Sequence, residues 1–156
     1  MLVRTILLVG LVVAPLITGY CQPEADSLQQ RITEEEDDTL KVLMLNRLSE
    51  LRVFSNTQQA IELAREASRI AGEIGYQRGV ILSTHRLGTA TWSKGDLLPA
   101  LSMLNQSLSM AEKARLPDLI ALNVGRMGLI YAASGIYTTA NQYYRRAIPL
   151  FKEAGN

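Results

Sequence analysis

The stretch 80–111 constrains the fold more than any other part of the chain, because its residue pattern predicts one helical hairpin. Leu87, Gly88 and Thr91 share one face of a first helix. After a break at Lys94-Gly95-Asp96, apolar residues resume at helical spacings of three and four: Leu97, Ala100, Leu101, Leu104 and Leu108. Gly95 suits the left-handed end of the first helix, and Asp96 is expected to cap the second.

The same hairpin pattern occurs again 40 residues later in the chain. The matching pairs are Gly88 with Gly128, Gly95 with Gly135, Ala100 with Ala140, and Leu104 with Tyr144. A weaker earlier copy contains Leu51, Ala60, Ala64 and Ala67, with Asn56 and Gln59 placed to form a capping box. A fixed period of this length is typical of stacked helical repeats, so the sequence predicts an all-α array of three hairpins.

The repeated residues resemble those of the tetratricopeptide repeat. In the middle copy, Leu87-Gly88, Gly95-Asp96, Ala100 and Ser107-Leu108 stand where that family has Leu-Gly, Gly-Asp, Ala and Ala-Leu. In the last copy the matching residues are Met127-Gly128, Tyr131, Gly135, Tyr137, Ala140, Tyr144 and Ala147. The 40-residue period exceeds the usual 34 and is similar to a longer-helix variant of bacterial regulators. The resemblance implies a right-handed superhelical array, with repeats at about 39–76, 77–116 and 117–156.

The first 21 residues have the features of a signal peptide. Arg4 precedes an apolar run over 6–17, and Gly19 and Cys21 are small residues of the kind that a signal peptidase accepts. The run is shorter than the roughly 20 apolar residues that span a bilayer. We therefore expect an exported protein, periplasmic or secreted, that contacts the membrane only through its signal peptide. An uncleaved N-terminal anchor is the alternative.

Residues 22–38 form a strongly acidic segment, which predicts an acidic linker or a short polar helix. Seven acidic side chains against Arg31 give this segment a charge of −6, whereas residues 39–156 carry 14 Lys and Arg against eight Asp and Glu, or +6. The basic array could bind its own acidic leader or an acidic partner, or both surfaces could simply be solvated. The net charge of +1 gives no indication of nucleic-acid binding.

No set of residues with catalytic spacing is apparent in the sequence. There is no glycine-rich phosphate loop, no Ser-x-x-Lys motif and no metal-ligand spacing, and the single cysteine, Cys21, excludes an intramolecular disulfide. His85 is the only candidate base, and no acidic residue lies one helical turn from it. We therefore expect no enzymatic activity, no cofactor and no metal.

The candidate binding residues lie on the face of each first helix that points away from the packing residues. They are Asn46, His85, Arg86, Thr89, Trp92 and Arg126. Asn46, Arg86 and Arg126 are spaced 40 residues apart, so stacking would place them in one row. The resemblance implies that this face lines a peptide-binding groove. The alternatives are that the arginines are solvated surface and that Trp92 belongs to the core.

These features predict a protein–protein interaction module that binds a partner segment in the groove. Extracytoplasmic repeat regions of bacterial sensor histidine kinases are similar, which implies a sensor region of a signalling protein or a free-standing adaptor. The alternative function is a sensor of a small anionic ligand, with a pocket around Trp92, His85 and Arg126. An apolar stripe on the last helix further predicts self-association: Tyr143, Tyr144, Ala147, Ile148, Leu150 and Phe151.

Overall fold

The computed structural model describes residues 23–153 and 155, and in this part of the chain every regular element is an α-helix. The first described helix, α1, covers residues 23–34. The six that follow are α2 (Asp38–Arg52), α3 (Thr57–Glu73), α4 (Gln77–Ser93), α5 (Leu97–Ala114), α6 (Pro117–Ala133) and α7 (Tyr137–Glu153). The predicted signal peptide over 1–21 lies outside the described residues.

The helices α2 to α7 pair as three hairpins, as the repeat pattern predicts. Helix α2 packs on α3, α4 on α5, and α6 on α7. Neighbouring hairpins contact each other through α3 with α4 and through α5 with α6, and the first helices also touch in the order α2, α4, α6. The predicted all-α stack of helix hairpins is therefore confirmed, and one face of it consists of α2, α4 and α6.

The turns inside the hairpins follow the glycine pattern. Gly95 has a φ of +102°, a left-handed conformation that a residue without Cβ adopts at little cost. Asn56 caps α3 by accepting a hydrogen bond from the amide of Gln59 at 3.1 Å. The expectation for Asp96 was wrong, because its side chain makes no capping hydrogen bond to α5. Its carboxylate instead faces Lys94, with Oδ2 and Nζ 3.9 Å apart.

Close helix contact explains the glycine in the middle of α4 and of α6. A Cβ added at Gly88 would lie 3.0 Å from Cγ of Leu104 and 3.2 Å from the carbonyl oxygen of Ala100, both on α5. At Gly128 an added Cβ would meet the ring of Tyr144 on α7 in the same way. The glycine therefore allows the two helices of a hairpin to approach each other closely.

The acidic segment, predicted as a linker or a short polar helix, is helix α1 over most of its length. Ala25 is 2% exposed and Ile32 is 5% exposed, and both belong to a core cluster with residues of α2 and α3. Two of the seven acidic side chains contact the neighbouring helix as well: Glu24 pairs with Arg47 of α2 at 2.9 Å. Asp26 pairs with Arg52 at 2.9 Å. For these two acids the basic array binds its own leader, which is one of the alternatives left by the charge pattern.

Helix α7 uses most of its apolar stripe against α6. Ala147 is 3% exposed, and Tyr143 and Phe151 pack against a cluster built from α5, α6 and Ala147. Ile148, at 54% exposure, is the member of the stripe that remains most open to solvent. Self-association through this helix stays a prediction. Among the described residues no helix combines the length and the apolar character that a membrane span requires.

Candidate binding cleft on the α2, α4 and α6 face

A small cleft opens on the face formed by α2, α4 and α6, and we call it the Arg126 cleft. Its volume is about 140 Å³. Its lining comes from all three first helices and from the turn after α2: Ser49, Glu50, Val53, Phe54, Arg86, Thr89 and Arg126. Three of the six predicted binding residues, Arg86, Thr89 and Arg126, therefore come together in one place.

The first cation of the cleft, Arg86, is neutralised within the chain. Its two terminal nitrogens donate to the two carboxylate oxygens of Glu50, each at 2.9 Å. Glu50 also accepts from Arg47 at 3.1 Å. Burial lowers the pKa of Arg86, and the charge of Glu50 opposes that effect. This paired arginine joins α4 to α2 and so fixes the positions of two walls of the cleft.

The second cation, Arg126, has no such partner. It is partly buried on α6, and among the described residues no carboxylate forms an ion pair with it. Burial lowers the pKa of Arg126, the positive charge of Arg86 lowers it further, and Glu50 partly compensates. Arginine nevertheless stays protonated in proteins. The cleft thus holds a positive charge without a counter-ion, in a place where water screens it less than at the open surface.

His85 does not reach the cleft, which corrects its predicted place in the groove. Its side chain is fully buried between α4 and α6, where Nδ1 lies 3.0 Å from Oδ1 of Asn123. The amide nitrogen of Asn123 donates to Ser107 Oγ at 2.9 Å and to the carbonyl of Leu119 at 2.8 Å. Oδ1 of Asn123 is therefore the acceptor, and His85 Nδ1 carries the hydrogen.

Burial decides the charge of His85 as well. Removal from water, assisted by the nearby charge of Arg86, lowers its pKa to about 3. The imidazole is thus neutral at physiological pH and fully engaged in contacts between helices. It offers neither a catalytic base nor a ligand-binding group.

Asn46 and Trp92 also lie away from the cleft. Asn46 is 1% exposed, and its Nδ2 donates to the carbonyl of Val42 one turn earlier, at 2.9 Å. Trp92 is partly buried against the cluster that contains Leu104 and Met127, so of the two alternatives for it, the core position is the observed one. The physical reason is its position one turn after Gly88, which places it on the face that packs against α5.

Glu50 and Phe54 also line the cleft, and neither was among the binding residues predicted from the sequence. Phe54 is 81% exposed at the edge of the cleft, next to Val53. A signal for both was present, because residues 46, 50 and 54 follow each other at helical spacing and would share a face. The pairing of Glu50 with Arg86 joins residues 36 apart, which periodicity alone does not reveal.

The described residues contain no arrangement typical of a catalytic centre. Within 23–153, no group of three or more His, Cys, Asp or Glu side chains is placed to hold a metal ion. The only histidine, His85, is buried and paired with an amide rather than with a carboxylate.

No protein-family model and no curated protein matches this sequence. Among solved structures, the chain is similar to aspartyl phosphate phosphatase F from Bacillus subtilis, with a TM-score of 0.71 at 21% identity. The match covers 87% of this chain but only 39% of the other, so the chain spans about two fifths of that protein's length. At this identity the likeness shows the fold alone: the chain has a tetratricopeptide-like helical repeat fold.

Proposed function

We propose that the chain is a protein–protein interaction module, and that a segment of its partner lies across the face formed by α2, α4 and α6. The fold supports a protein-binding role in general, since stacked helical repeats present extended binding surfaces. The observation that carries the specific proposal is the Arg126 cleft, where three helices contribute to one opening. A non-enzymatic role is part of the proposal.

The composition of the cleft favours a protein partner. An unpaired cation, Arg126, and an exposed aromatic ring, Phe54, lie on the same small opening. Aromatic and arginine side chains are the residues that most often dominate binding energy at protein interfaces. A partner segment could therefore place an apolar side chain on Phe54 while a polar group reaches Arg126.

The size of the cleft weighs against the alternative, a sensor of a small anionic ligand. Pockets for such ligands usually enclose about 300–1,000 Å³, whereas this cleft offers about 140 Å³, room for one side chain. In addition, two of the residues expected to line that pocket are used in packing: His85 is fully buried, and Trp92 is partly buried against a core cluster. A partner that inserts one side chain fits this space better than a whole metabolite.

Selection of binding peptides would test the proposal. Random peptides displayed on phage would be selected on the full chain, and the affinities of the selected peptides would be measured for variants. Because Phe54 is exposed, Phe54→Ala should leave folding intact. The variant should bind the selected peptides about 30-fold more weakly, which corresponds to the loss of an interface anchor worth about 2 kcal/mol. Leu98→Ala is the matched control, since Leu98 is 78% exposed on α5 and away from the cleft.

Two results would contradict the proposal. One is that no peptide is selected by the folded chain. The other is that selected peptides bind Phe54→Ala as tightly as the parent, or that Leu98→Ala weakens them equally. The sensor role in a signalling protein and the export of the chain stay predictions that this experiment does not address.

A further inference from the structure

We infer that the Arg126 cleft accepts a single carboxylate side chain of the partner, and that the pair of Glu50 with Arg86 limits the site to one acid. This inference rests on the proposed function and names the chemistry that the same site recognises. The acid is expected next to an apolar residue, because Phe54 and Val53 form the apolar side of the opening.

Charge counting in the lining gives the expected number of partner acids. Arg86 and Arg126 contribute two positive charges, and Glu50 contributes one negative charge. The cleft therefore lacks one negative charge. A carboxylate completes this balance, whereas a doubly charged phosphate group would exceed it.

The hydrogen-bond donors of the cleft lead to the same conclusion. Both terminal nitrogens of Arg86 are used by Glu50. The hydroxyl of Ser49 donates to the carbonyl of Ala60 at 2.8 Å. Thr89 Oγ1 lies 3.5 Å from the unprotonated Nε2 of His85, so its hydrogen points away from the opening. The buried Nε of Arg86 has no hydrogen-bond partner either, but it is a single donor. The guanidinium of Arg126 is thus the free donor group that matches the fork geometry of one carboxylate.

Glu50 explains why the site does not take a second acid. Its carboxylate already accepts from Arg86 and from Arg47, and Arg47 in turn pairs with Glu24 at 2.9 Å. A second partner carboxylate would have to displace Glu50 and would meet its negative charge. Glu50→Gln should therefore release Arg86 and increase the affinity of the cleft for anions.

The first experiment uses acetate as the probe, so that it does not depend on any partner. Sodium acetate would replace sodium chloride at constant ionic strength, and the Nε–Hε resonances of the ¹⁵N-labelled full chain would be followed. The Arg126 resonance, assigned from Arg126→Gln, should saturate with a dissociation constant of about 10–100 mM. Exposed Arg65, assigned from Arg65→Gln, should respond linearly and weakly. Glu50→Gln should bind acetate several-fold more tightly.

The second experiment uses the peptides selected on the full chain. Replacement of one acidic residue in each peptide by Gln should weaken binding to the parent about 10-fold or more, and should have little effect on binding to Arg126→Gln. Arg65→Gln serves as the control, because it removes the same charge from a surface outside the cleft.

The two experiments separate the inference from the proposed function. If Arg126 responds to acetate no more than Arg65, or if peptides that depend on Phe54 tolerate replacement of every acid, the inference is overturned while the proposed function stands. If acetate binds at Arg126 but no peptide is selected, the proposed function fails, and with it the assignment of the carboxylate to a partner protein.

Discussion

The buried network of His85, Asn123 and Ser107 provides the sharpest test of how the hairpins hold together. Asn123 on α6 accepts from His85 on α4 and donates to Ser107 on α5 and to the carbonyl of Leu119. Ser107 donates onward to the carbonyl of Ile81 at 2.8 Å. One amide side chain therefore connects three helices, and all its hydrogen bonds lie in the interior.

Asn123→Ala removes these bonds and leaves the Nδ1 hydrogen of His85 buried without an acceptor. An unsatisfied buried group costs about 1–3 kcal/mol, and the vacated volume adds to that cost. We expect a loss of about 3–5 kcal/mol in the free energy of unfolding, which is a large part of the 5–15 kcal/mol typical of a domain. Asn105→Ala is the matched control on exposed α5 surface and should change stability by about 0.5 kcal/mol or less.

Urea denaturation followed by circular dichroism would give both values. The double variant His85→Leu with Asn123→Ala should lose less than the sum of the single variants, since it also removes the unsatisfied donor. An Asn123→Ala protein as stable as Asn105→Ala would refute the reasoning. Strict additivity of the two single changes would refute the role assigned to His85.

Three further changes follow from single positions. Burial lowers the pKa of His85 from 6.5 to about 3, so its contribution to stability is complete above pH 6.5. Below that pH the contribution falls by up to about 1.4 kcal/mol per pH unit. Urea midpoints should show this loss for the parent, and an equal loss in His85→Gln would contradict it. Arg115 ends α5 in a left-handed conformation at φ 53°, and Gly75 occupies the equivalent position of the preceding repeat at φ +68°. Arg115→Gly should therefore raise the free energy of unfolding by about 0.5–1 kcal/mol, whereas Arg115→Ala should not. A lower melting temperature for Arg115→Gly would oppose this. Gly88→Ala should lower the free energy of unfolding by about 1–3 kcal/mol, because the added Cβ meets the Ala100 carbonyl at 3.2 Å. Gly72→Ala has no atom within 4 Å of its added Cβ and should raise the free energy of unfolding slightly. Similar changes in stability at both sites would exclude close packing as the reason for Gly88.

The helical array was predictable because its evidence is local. Apolar spacing defines each helix, and glycine at a left-handed turn such as Gly95 marks where the chain reverses. The packing of helix α1 against the core was not predicted, because seven acids over 22–38 concealed a helical spacing of Ala25, Leu28 and Ile32. Two of these residues are buried in the core and Leu28 packs against it, so a few apolar contacts outweigh the charge of a segment.

The binding face was predictable only in part. Helical phase correctly grouped Arg86 with Arg126, since both follow from the repeat period and the cleft contains both. The position of His85 around its helix could not show that its side chain is buried between α4 and α6, because that depends on its hydrogen bond with Asn123, 38 residues away. The helical phase also could not show that Arg86 forms an ion pair and Arg126 does not, because that depends on which arginine the Glu50 side chain reaches.

Site-specific photocrosslinking tests the central claim, that the α2, α4 and α6 face binds a partner protein, most directly. The photoreactive amino acid p-benzoylphenylalanine would replace Phe54 in one variant and Leu98 in another, since both side chains are well exposed, at 81% and 78%. Irradiation with a selected peptide should give a covalent adduct at position 54 and none at position 98, and Arg126→Gln should reduce the yield. Equal adducts at both positions, or an adduct at 98 alone, would contradict the claim.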